Sequence, residues 1–323
     1  MRAAVLHTLG QAPDCREHPE PGTAPGRSIV AMRAAPVVPL DLLCASGTSY
    51  FGAPAVPYVP GVQGVGVVEE SDRLPVGTRV WFATSAGMAP GDGALAERVS
   101  VADDDLVRVT ADVPDSALAA LGLSAVAAWM ALTWRGRMRP GERVLVLGAG
   151  GVVGQTAIGA AKALGAGKVV AVCRSEGARD RALKAGADTV LPLVPDVDAL
   201  AGELRDAAGG GVDLVVDPVF GAAATAASQV LADGGRLVNL GGASGDVAQF
   251  SSAVLRSRSA EVLGYTNNAL TVEQRRQAID AVAEHAAAGR LVVDRETLPL
   301  SEVHDGWQRQ ASGEAAVRLV FVP

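Results

Sequence analysis

The stretch VLVLGAGGVVG, residues 144–154, decides the fold of this chain. Its apolar letters VLVL lead into a run with three glycines in four residues, and an apolar pattern then resumes. A short apolar run that ends in glycines and continues into a helical pattern predicts a buried strand, a tight turn and a helix. We expect the strand over residues 143–148 and the helix over residues 151–164.

A strand–turn–helix of this kind is suited to binding the pyrophosphate of a dinucleotide. The first glycine allows the tight turn, and Gly154 lets the helix lie close to the strand. Between them the bare main chain lets a phosphate approach, and the helix start supplies unpaired N–H groups with partial positive charge. We therefore predict cofactor contacts from Gly148, Gly150, Gly151, Val152 and Val153.

The strict spacing G-x-G-x-x-G fails because Val153 stands where the third glycine belongs. A glycine-rich turn with a purely structural role is therefore the alternative. The placement of the turn in a chain of alternating strands and helices favours dinucleotide binding. Such alternation predicts a parallel sheet covered on both faces. Further strands are predicted at Lys168–Cys173, Thr189–Leu193, Val212–Val216 and Arg236–Leu240.

The residues after the second predicted strand indicate which dinucleotide is bound. A site for NAD places Asp or Glu there, about 20 residues beyond the turn. Here the strand ends at Cys173 and is followed by Arg174 and Ser175, with Arg179 one turn further on. A guanidinium can bind a 2′-phosphate through two hydrogen bonds, so we predict NADPH over NADH. The alternative is that both arginines are solvated charges, and Glu176 is an unfavourable neighbour for a phosphate.

Composition excludes several classes of protein. The 323 residues include 28 Lys+Arg and 35 Asp+Glu, a net charge of −7, which argues against a nucleic-acid partner. The hydrophobic fraction of 49% excludes disorder, and the length predicts two domains. The three cysteines, Cys15, Cys44 and Cys173, are far apart, which predicts no disulfide framework and a reducing, cytoplasmic compartment.

Neither a metal centre nor a membrane span is predicted. The four histidines have no ligand spacing with the cysteines. Two uncharged stretches, 116–134 and 144–161, reach the length of a membrane span, but we interpret them as a buried helix and a strand–turn. The first residues, MRAAVLHTLG, do not have the pattern of a signal peptide.

Nine segments, in order along nearly the whole chain, resemble those of a zinc-independent medium-chain dehydrogenase/reductase of the quinone oxidoreductase type. Singly each segment is a weak signal, and their shared order makes the resemblance specific. The segments are PLDLLCASG (39–47), VPYVPGVQGVGVV (56–68), GDGALAERVSV (91–101), PGERVLVLGAGGVVG (140–154), KAGADTVL (184–191), GGGVDLVVDPVFG (209–221), LADGGRLVNLGG (231–242), VLGYTNN (262–268) and PLSEVHDGWQRQASGEAAVRLVFV (299–322).

The resemblance implies an α/β fold with two domains. A Rossmann domain with a doubly wound parallel sheet, residues 117–264, interrupts a GroES-like β-barrel catalytic domain formed by residues 1–116 and 265–323. It also implies a homodimer formed through the sheet edge of the nucleotide domain. Further cofactor contacts are implied for Gly241, Gly242, Gly264, Tyr265, Asn267 and Arg318.

This chain departs from the family pattern at the positions that carry chemistry. The zinc-dependent branch has Cys-His and His-Glu where this chain has Val38, Pro39, Val62 and Gln63. Without zinc, oxidation of a simple alcohol is the poorer interpretation, and reduction of an activated C=C bond needs mainly hydride alignment. The Asn and Thr that quinone reductases of this type often have are replaced by Val38 and Ala127.

Two side chains are candidates for catalysis. Tyr50 matches a family tyrosine near the nicotinamide and is a candidate hydrogen-bond donor, with packing in the barrel as the alternative. Asp41 is the second candidate, although a role in fixing its loop is the stronger interpretation.

We therefore expect an NADPH-dependent reductase that acts on a small molecule, either a quinone or an α,β-unsaturated carbonyl compound. An enoyl-thioester reductase is one alternative, for which the first domain offers only scattered arginines. An NADPH-binding protein with little catalytic activity is another, because both usual polar contacts are lost.

Overall fold

The computed structural model describes residues 1–323. The strands are β1 (Arg2–Val5), β2 (Asp14–Glu17), β3 (Arg27–Pro36), β4 (Gln63–Glu70), β5 (Arg79–Ala83), β6 (Arg98–Ala102), β7 (Leu106–Arg108), β8 (Arg143–Val146), β9 (Lys168–Cys173), β10 (Thr189–Pro192), β11 (Val212–Asp217), β12 (Leu231–Asn239), β13 (Glu261–Gly264), β14 (Arg295–Pro299) and β15 (Arg318–Val322). The helices are α1 (Pro39–Ser46), α2 (Asp115–Met130), α3 (Val152–Ala163), α4 (Glu176–Lys184), α5 (Val197–Ala208), α6 (Gly221–Ser228), α7 (Ser252–Arg258), α8 (Val272–Ala287) and α9 (Val303–Ser312).

Two compact units divide the chain. The first comprises Met1–Leu123, Ile279–Ala287 and Val293–Pro323, and the second comprises Ser124–Ala278 and Ala288–Val292. The changes at residues 123 and 278 fall inside α2 and α8, whereas the sequence predicted boundaries at 116 and 265. The change inside α8 carries no turn residue, and the change inside α2 is marked only by the single Gly122, so composition gives little sign of either.

The second unit is built on a six-stranded parallel sheet in the order β10-β9-β8-β11-β12-β13. Its central strand β8 buries Val144, Leu145 and Val146 completely. Helices connect successive strands, which confirms the predicted doubly wound α/β fold. The chain runs outward from β8 through β9 to β10 and then returns to β11 on the other side of β8. In sheets of this kind ligands bind at the carboxyl ends of the strands where the direction changes, here β8 and β11.

The first unit is largely antiparallel. Its seven-stranded sheet runs in the order β14-β15-β3-β4-β5-β7, with β6 paired to β3, and β1 and β2 form a separate ribbon. The C-terminal strand β15 pairs antiparallel with β3 through Val320 and Phe321. The chain's tail therefore completes the sheet that its first part begins.

Helix α2 is interrupted at Gly122, whose φ of 34° and ψ of −132° are not helical. Gln63 lies in the break, and its Oε1 accepts a hydrogen bond from the Leu123 N–H at 2.5 Å. A Cβ on Gly122 would lie 2.0 Å from that oxygen. Both the φ angle and the lack of space therefore require glycine at residue 122.

The segment Asp115–Arg135 is long and apolar enough to cross a membrane by length and composition alone. Within this protein, 67% of its most apolar stretch is buried. A core helix has the same composition, since it is apolar on every face that its neighbours cover. The last turn of this segment, Ala131–Arg135, is π-helical.

Arg236 on β12 is a buried cation that joins several segments of the second unit. Its Nη1 and Nη2 bind the two carboxylate oxygens of Glu142 at 3.0 and 2.8 Å. Its Nε donates to the Gly136 carbonyl at 2.8 Å, and Nη1 also donates to the Asp213 carbonyl at 2.9 Å. Since the guanidinium is paired and hydrogen-bonded, its burial is compensated.

We expect Arg236→Met to lower the free energy of unfolding by about 3–5 kcal/mol, because it leaves the Glu142 carboxylate, only 15% exposed, without its cationic partner. The matched control is Arg309→Met, which removes another two-pronged pair, with Glu296, at the surface. That control should cost much less, because water replaces the lost partner. Urea denaturation of both variants measures the difference, and equal losses would contradict the role given to Arg236.

Candidate functional site

The turn after β8 is shaped by glycines that serve different purposes. A Cβ on Gly148, which has a φ of +59°, would lie 2.5 Å from Val219, and one on Gly154 would lie 2.4 Å from the Ala149 Cα. These two glycines therefore let the protein pack against itself. A Cβ on Gly151, by contrast, would meet nothing closer than the Gly148 carbonyl oxygen at 3.6 Å. The space above Gly151 is open, as the approach of a phosphate requires.

The start of α3 offers its N–H groups at this open position. Gly151 is the N-cap residue, and no side chain caps the helix. Val152 and Val153, predicted as cofactor contacts, form the first turn of α3. The uncapped first turn carries partial positive charge, which stabilises an anion. The residues present therefore fit the pyrophosphate of a dinucleotide.

The connection from β9 to α4 lies against this turn. Cys173 ends β9 and is buried, and burial raises the pKa of its thiol. Arg174 is exposed, Arg179 is half-buried, and the Ser175 hydroxyl oxygen accepts from the Ala178 N–H at 3.3 Å as the N-cap of α4. The three predicted 2′-phosphate contacts thus follow the carboxyl end of the strand next to β8.

Sequence reasoning missed Arg181 and Gln155, which both donate to the Gly150 carbonyl. The distances are 3.1 Å from the Arg181 Nε and 2.9 Å from the Gln155 Nε2. No turn or strand pattern predicts these bonds, because they depend on how α4 packs against the turn. The small Ala178 was the available signal, since it leaves room for a long side chain one helical turn later.

The remaining predicted cofactor residues of the second unit follow the parallel strands β12 and β13. Gly241 and Gly242 come after β12, Gly264 ends β13, and Tyr265 follows it. The carboxyl ends of parallel strands meet at one edge of a sheet, so these residues share the edge that carries the glycine turn.

Tyr265 and Asn267 are held in place at this edge. The Tyr265 hydroxyl donates to the Asn267 Oδ1 at 2.6 Å, and burial raises the pKa of Tyr265. The Arg135 Nε, from the π-helical turn, donates to the Gly264 carbonyl at 3.0 Å. The Trp134 ring contacts the Tyr265 ring edge-on, with 6.2 Å between centroids. The segment after β13 is therefore fixed by side chains from a different helix.

Asp41, in the first unit, is enclosed by main-chain donors. Its Oδ2 accepts from the Val38 N–H at 2.9 Å, and its Oδ1 accepts from the Gly61 and Val62 N–H groups at 3.1 and 2.9 Å. Burial raises the pKa of Asp41 to about 6, although the three N–H groups favour the charged carboxylate. With both oxygens engaged by main-chain N–H groups, Asp41 is placed to fix two loops, and the catalytic role considered for it stays a prediction.

Arg318 lies beside Asp41 and holds the other side of the same peptide group. Its Nη1 donates to the Val37 carbonyl at 2.9 Å, while Asp41 accepts from the N–H that follows this carbonyl. Burial lowers the pKa of Arg318 to about 10, and the charge of Asp41 acts in the opposite direction. The peptide between Val37 and Val38 is thus held from both sides. The cofactor contact that the resemblance implies for Arg318 stays a prediction.

Tyr50 lies in the loop after α1 and is 80% exposed. Its ring contacts only the adjacent Phe51 ring among the aromatic residues, with 4.2 Å between centroids. The alternative in which Tyr50 packs inside the barrel is therefore wrong. An exposed phenol is free to meet a ligand, and its catalytic role stays a prediction.

Two family models match this chain. The alcohol dehydrogenase GroES-like domain matches residues 24–111, and the zinc-binding dehydrogenase matches residues 152–284. A curated relative, a phenolphthiocerol/phthiocerol polyketide synthase of Mycobacterium tuberculosis, is 31% identical over 87% of this chain. The chain spans only 13% of the length of that protein.

Two solved structures are similar over their whole length. A probable oxidoreductase from Mycobacterium abscessus is 30% identical, with a TM-score of 0.81, over 100% of this chain and 99% of its own. The quinone oxidoreductase from Thermus thermophilus, solved also with NADPH, is 28% identical, with a TM-score of 0.79, over 100% of both chains. The chain belongs to the medium-chain dehydrogenase/reductase family and is quinone oxidoreductase-like.

The name of one matching family refers to zinc, and the donor set of this chain does not fit that ion. No three His, Cys, Asp or Glu side chains within residues 1–323 lie close enough together to hold a metal. Val38, Val62 and Gln63, which stand at the positions of ligands in the zinc-dependent branch, are buried and carry no ligand group of that kind.

Two alanine substitutions test the different purposes of Gly151 and Gly150. Gly151 leaves space for a ligand, whereas Gly150 leaves space for the close packing of α4. Gly151→Ala should leave stability within about 0.5 kcal/mol, because its φ of −80° suits alanine, yet weaken nicotinamide-dinucleotide binding about tenfold or more. Gly150→Ala should cost about 1–3 kcal/mol, because its Cβ would lie 2.3 Å from that of Ala178.

Thermal unfolding and titration of nucleotide fluorescence measure the two effects. Unchanged nucleotide affinity in the stable Gly151→Ala protein would contradict a phosphate site at this turn.

Proposed function

We propose that this protein is an NADPH-dependent reductase of quinones or α,β-unsaturated carbonyl compounds that transfers hydride without zinc. The observation that carries the proposal is the pairing of an open glycine turn after β8 with an arginine-bearing connection after β9. The turn suits a pyrophosphate, and the connection suits a 2′-phosphate. Similarity to a quinone oxidoreductase solved with NADPH supports the same assignment.

NADPH, when bound, supplies the hydride. The chain's own part is to hold the cofactor and substrate in a reactive alignment, which alone can supply much of the rate enhancement. Reduction of an enone would need, besides that hydride at the β-carbon, one proton at the α-carbon. Tyr50 is our candidate for the donor of that proton, directly or through water, because its hydroxyl is exposed.

The residues at the positions of the zinc ligands support a reaction that does not use zinc. Reduction of a polarised C=C bond needs no Lewis acid to make a hydroxyl acidic, in contrast to alcohol oxidation. Val38, Val62 and Gln63 offer neither thiolate, imidazole nor carboxylate at the positions in question. The apolar surroundings instead suit a flat, uncharged substrate.

An enoyl-thioester reductase is the second candidate, and the similarity to polyketide synthases favours it. Against it, three of the four scattered arginines of the first domain (Arg27, Arg33, Arg73 and Arg79) are engaged with other residues. Arg27 binds Ser100, Arg73 pairs with Asp104, and Arg79 pairs with Asp115. A third possibility, cofactor binding with little catalysis, rests on the loss of polar side chains at residues 38 and 127.

We further propose a cytoplasmic homodimer with a small-molecule substrate and neither nucleic acid nor membrane as a partner. Strand β13 supports the homodimer, because it is the last strand of its sheet and exposes 39% of Val262. An unpaired edge can add the same edge of a second copy.

The test of the activity is NADPH oxidation, followed at the nicotinamide absorbance, with a panel of quinones, enones and enoyl thioesters. We expect turnover with a quinone or enone, unchanged after dialysis against a chelator. Turnover restricted to enoyl thioesters would favour the second candidate. Tight NADPH binding without turnover of any substrate would favour the third.

The cofactor preference has its own test in Arg174→Ala. This variant should raise the KM for NADPH about tenfold while leaving the KM for NADH nearly unchanged, because only NADPH carries the 2′-phosphate. The reference variant is Arg256→Ala, which removes an exposed arginine on α7. Equal use of both cofactors by the wild type, or an unchanged preference in Arg174→Ala, would contradict the assignment.

A further inference from the structure

Arg181 connects the two phosphate regions of the second unit. It lies on α4, one helical turn beyond Ala178, and is half-buried. Its Nε donates to the Gly150 carbonyl of the glycine turn at 3.1 Å. Its Nη1 lies 3.7 Å from the position that a Cβ on Gly177 would occupy. The guanidinium therefore sits over the first turn of α4, with one edge on the glycine turn.

Small residues make this position reachable. Side chains on a helix lean toward its N-terminus, so Arg181 covers the surface over the preceding turn. Gly177 and Ala178 occupy that turn and leave room for the guanidinium. Ala178 itself packs so closely on Gly150 that a Cβ there would lie 2.3 Å from it. The helix start and the glycine turn are thus in direct contact beneath the arginine.

The bond to Gly150 fixes one peptide group of the turn. The carbonyl of this peptide accepts from Arg181 and from Gln155, at 3.1 and 2.9 Å. Its N–H, which belongs to Gly151, donates to the Gly148 carbonyl at 3.1 Å. The peptide is therefore held at both ends immediately before the open position where a pyrophosphate is expected.

The charge of Arg181 also reaches the carboxyl end of β9. Burial raises the pKa of the Cys173 thiol, and the positive charges of Arg181 and Arg179 act in the opposite direction. Cys173 stands where a site for NAD has its acidic residue, so the guanidinium lies near the place of the adenosine ribose. Since the Nε edge is occupied by the carbonyl, the Nη edge is the part that can meet an anion.

We infer that Arg181 serves both phosphate groups of the cofactor: its Nε holds the glycine turn in shape for the pyrophosphate, and its Nη groups bind the 2′-phosphate. It is then a specificity residue in addition to Arg174, Ser175 and Arg179. This inference rests on the proposed preference for NADPH.

The experiment measures the dissociation constants of NADPH and NADH for the protein free of nucleotide, by calorimetric titration. The dissociation constant of NADH depends on the contacts at the glycine turn but on no 2′-phosphate contact. That of NADPH depends on both sets of contacts. Arg181→Met should weaken NADH about threefold and NADPH about thirtyfold, so that the preference falls about tenfold. Arg181→Lys should fall between Arg181→Met and the wild type, because one ammonium cannot keep both contacts.

Arg205→Met is the matched control, since Arg205 is exposed on α5 and makes a single bond of the same kind, 3.5 Å to the Gln229 carbonyl. It should leave both constants unchanged. Melting temperatures check that each variant folds. If Arg181→Met does not fold, Arg181→Lys is compared with the wild type instead.

Failure of the inference and failure of the NADPH assignment appear in different measurements. Equal affinities for the two nucleotides in the wild type would show that the assignment of NADPH is wrong. A wild type that prefers NADPH, with Arg181 variants that keep the same preference, would overturn the role at the 2′-phosphate. An effect of Arg181→Met on NADPH alone would overturn the role in holding the turn.

Discussion

A phosphate can reach a main chain only where no side chain stands in its way, and this constraint governs the second unit. Gly148, Gly150 and Gly154 bring strand, turn and two helices so close that a methyl group on any of them would collide with its neighbour. That close packing confines the single opening to Gly151. The parallel order of the sheet then brings the ends of β9, β12 and β13 to the same edge. The candidate contacts of the second unit that follow these strands therefore lie at the edge that carries the glycine turn.

Much of the fold could be predicted because buried strands and helices repeat simple patterns. The bounds of β9 agree with the predicted ones, since this strand is an apolar run that ends where the polarity changes. Strand β12 begins at Leu231 instead of Arg236, because the pairing with β11 continues through a register shift across glycines that the sequence presents as a turn. Local patterns describe regular pairing, and irregular pairing depends on the neighbouring strand.

The candidate site was predictable where it is made of main chain and less so where it is made of side chains. A glycine marks a place where the main chain has no side chain in the way, which is why the turn could be predicted from the sequence. The bond from Arg181 to Gly150 depends on how α4 packs against the turn, which no spacing encodes. The hydrogen bonds of Asp41 could not be predicted for the same reason, because two of its donors, Gly61 and Val62, lie in another loop.

The peptide between Val37 and Val38 is held by Asp41 on its N–H side and by Arg318 on its carbonyl side. Neither bond involves the side chain of Val38, so the frame of this loop does not depend on which residue occupies that position. The side chain of Val38 is only 4% exposed, so a substitution at residue 38 is felt through the packing around it and not through the two bonds that hold the loop. Holding the loop through its backbone thus limits the cost of a change at this position to what its side chain contacts.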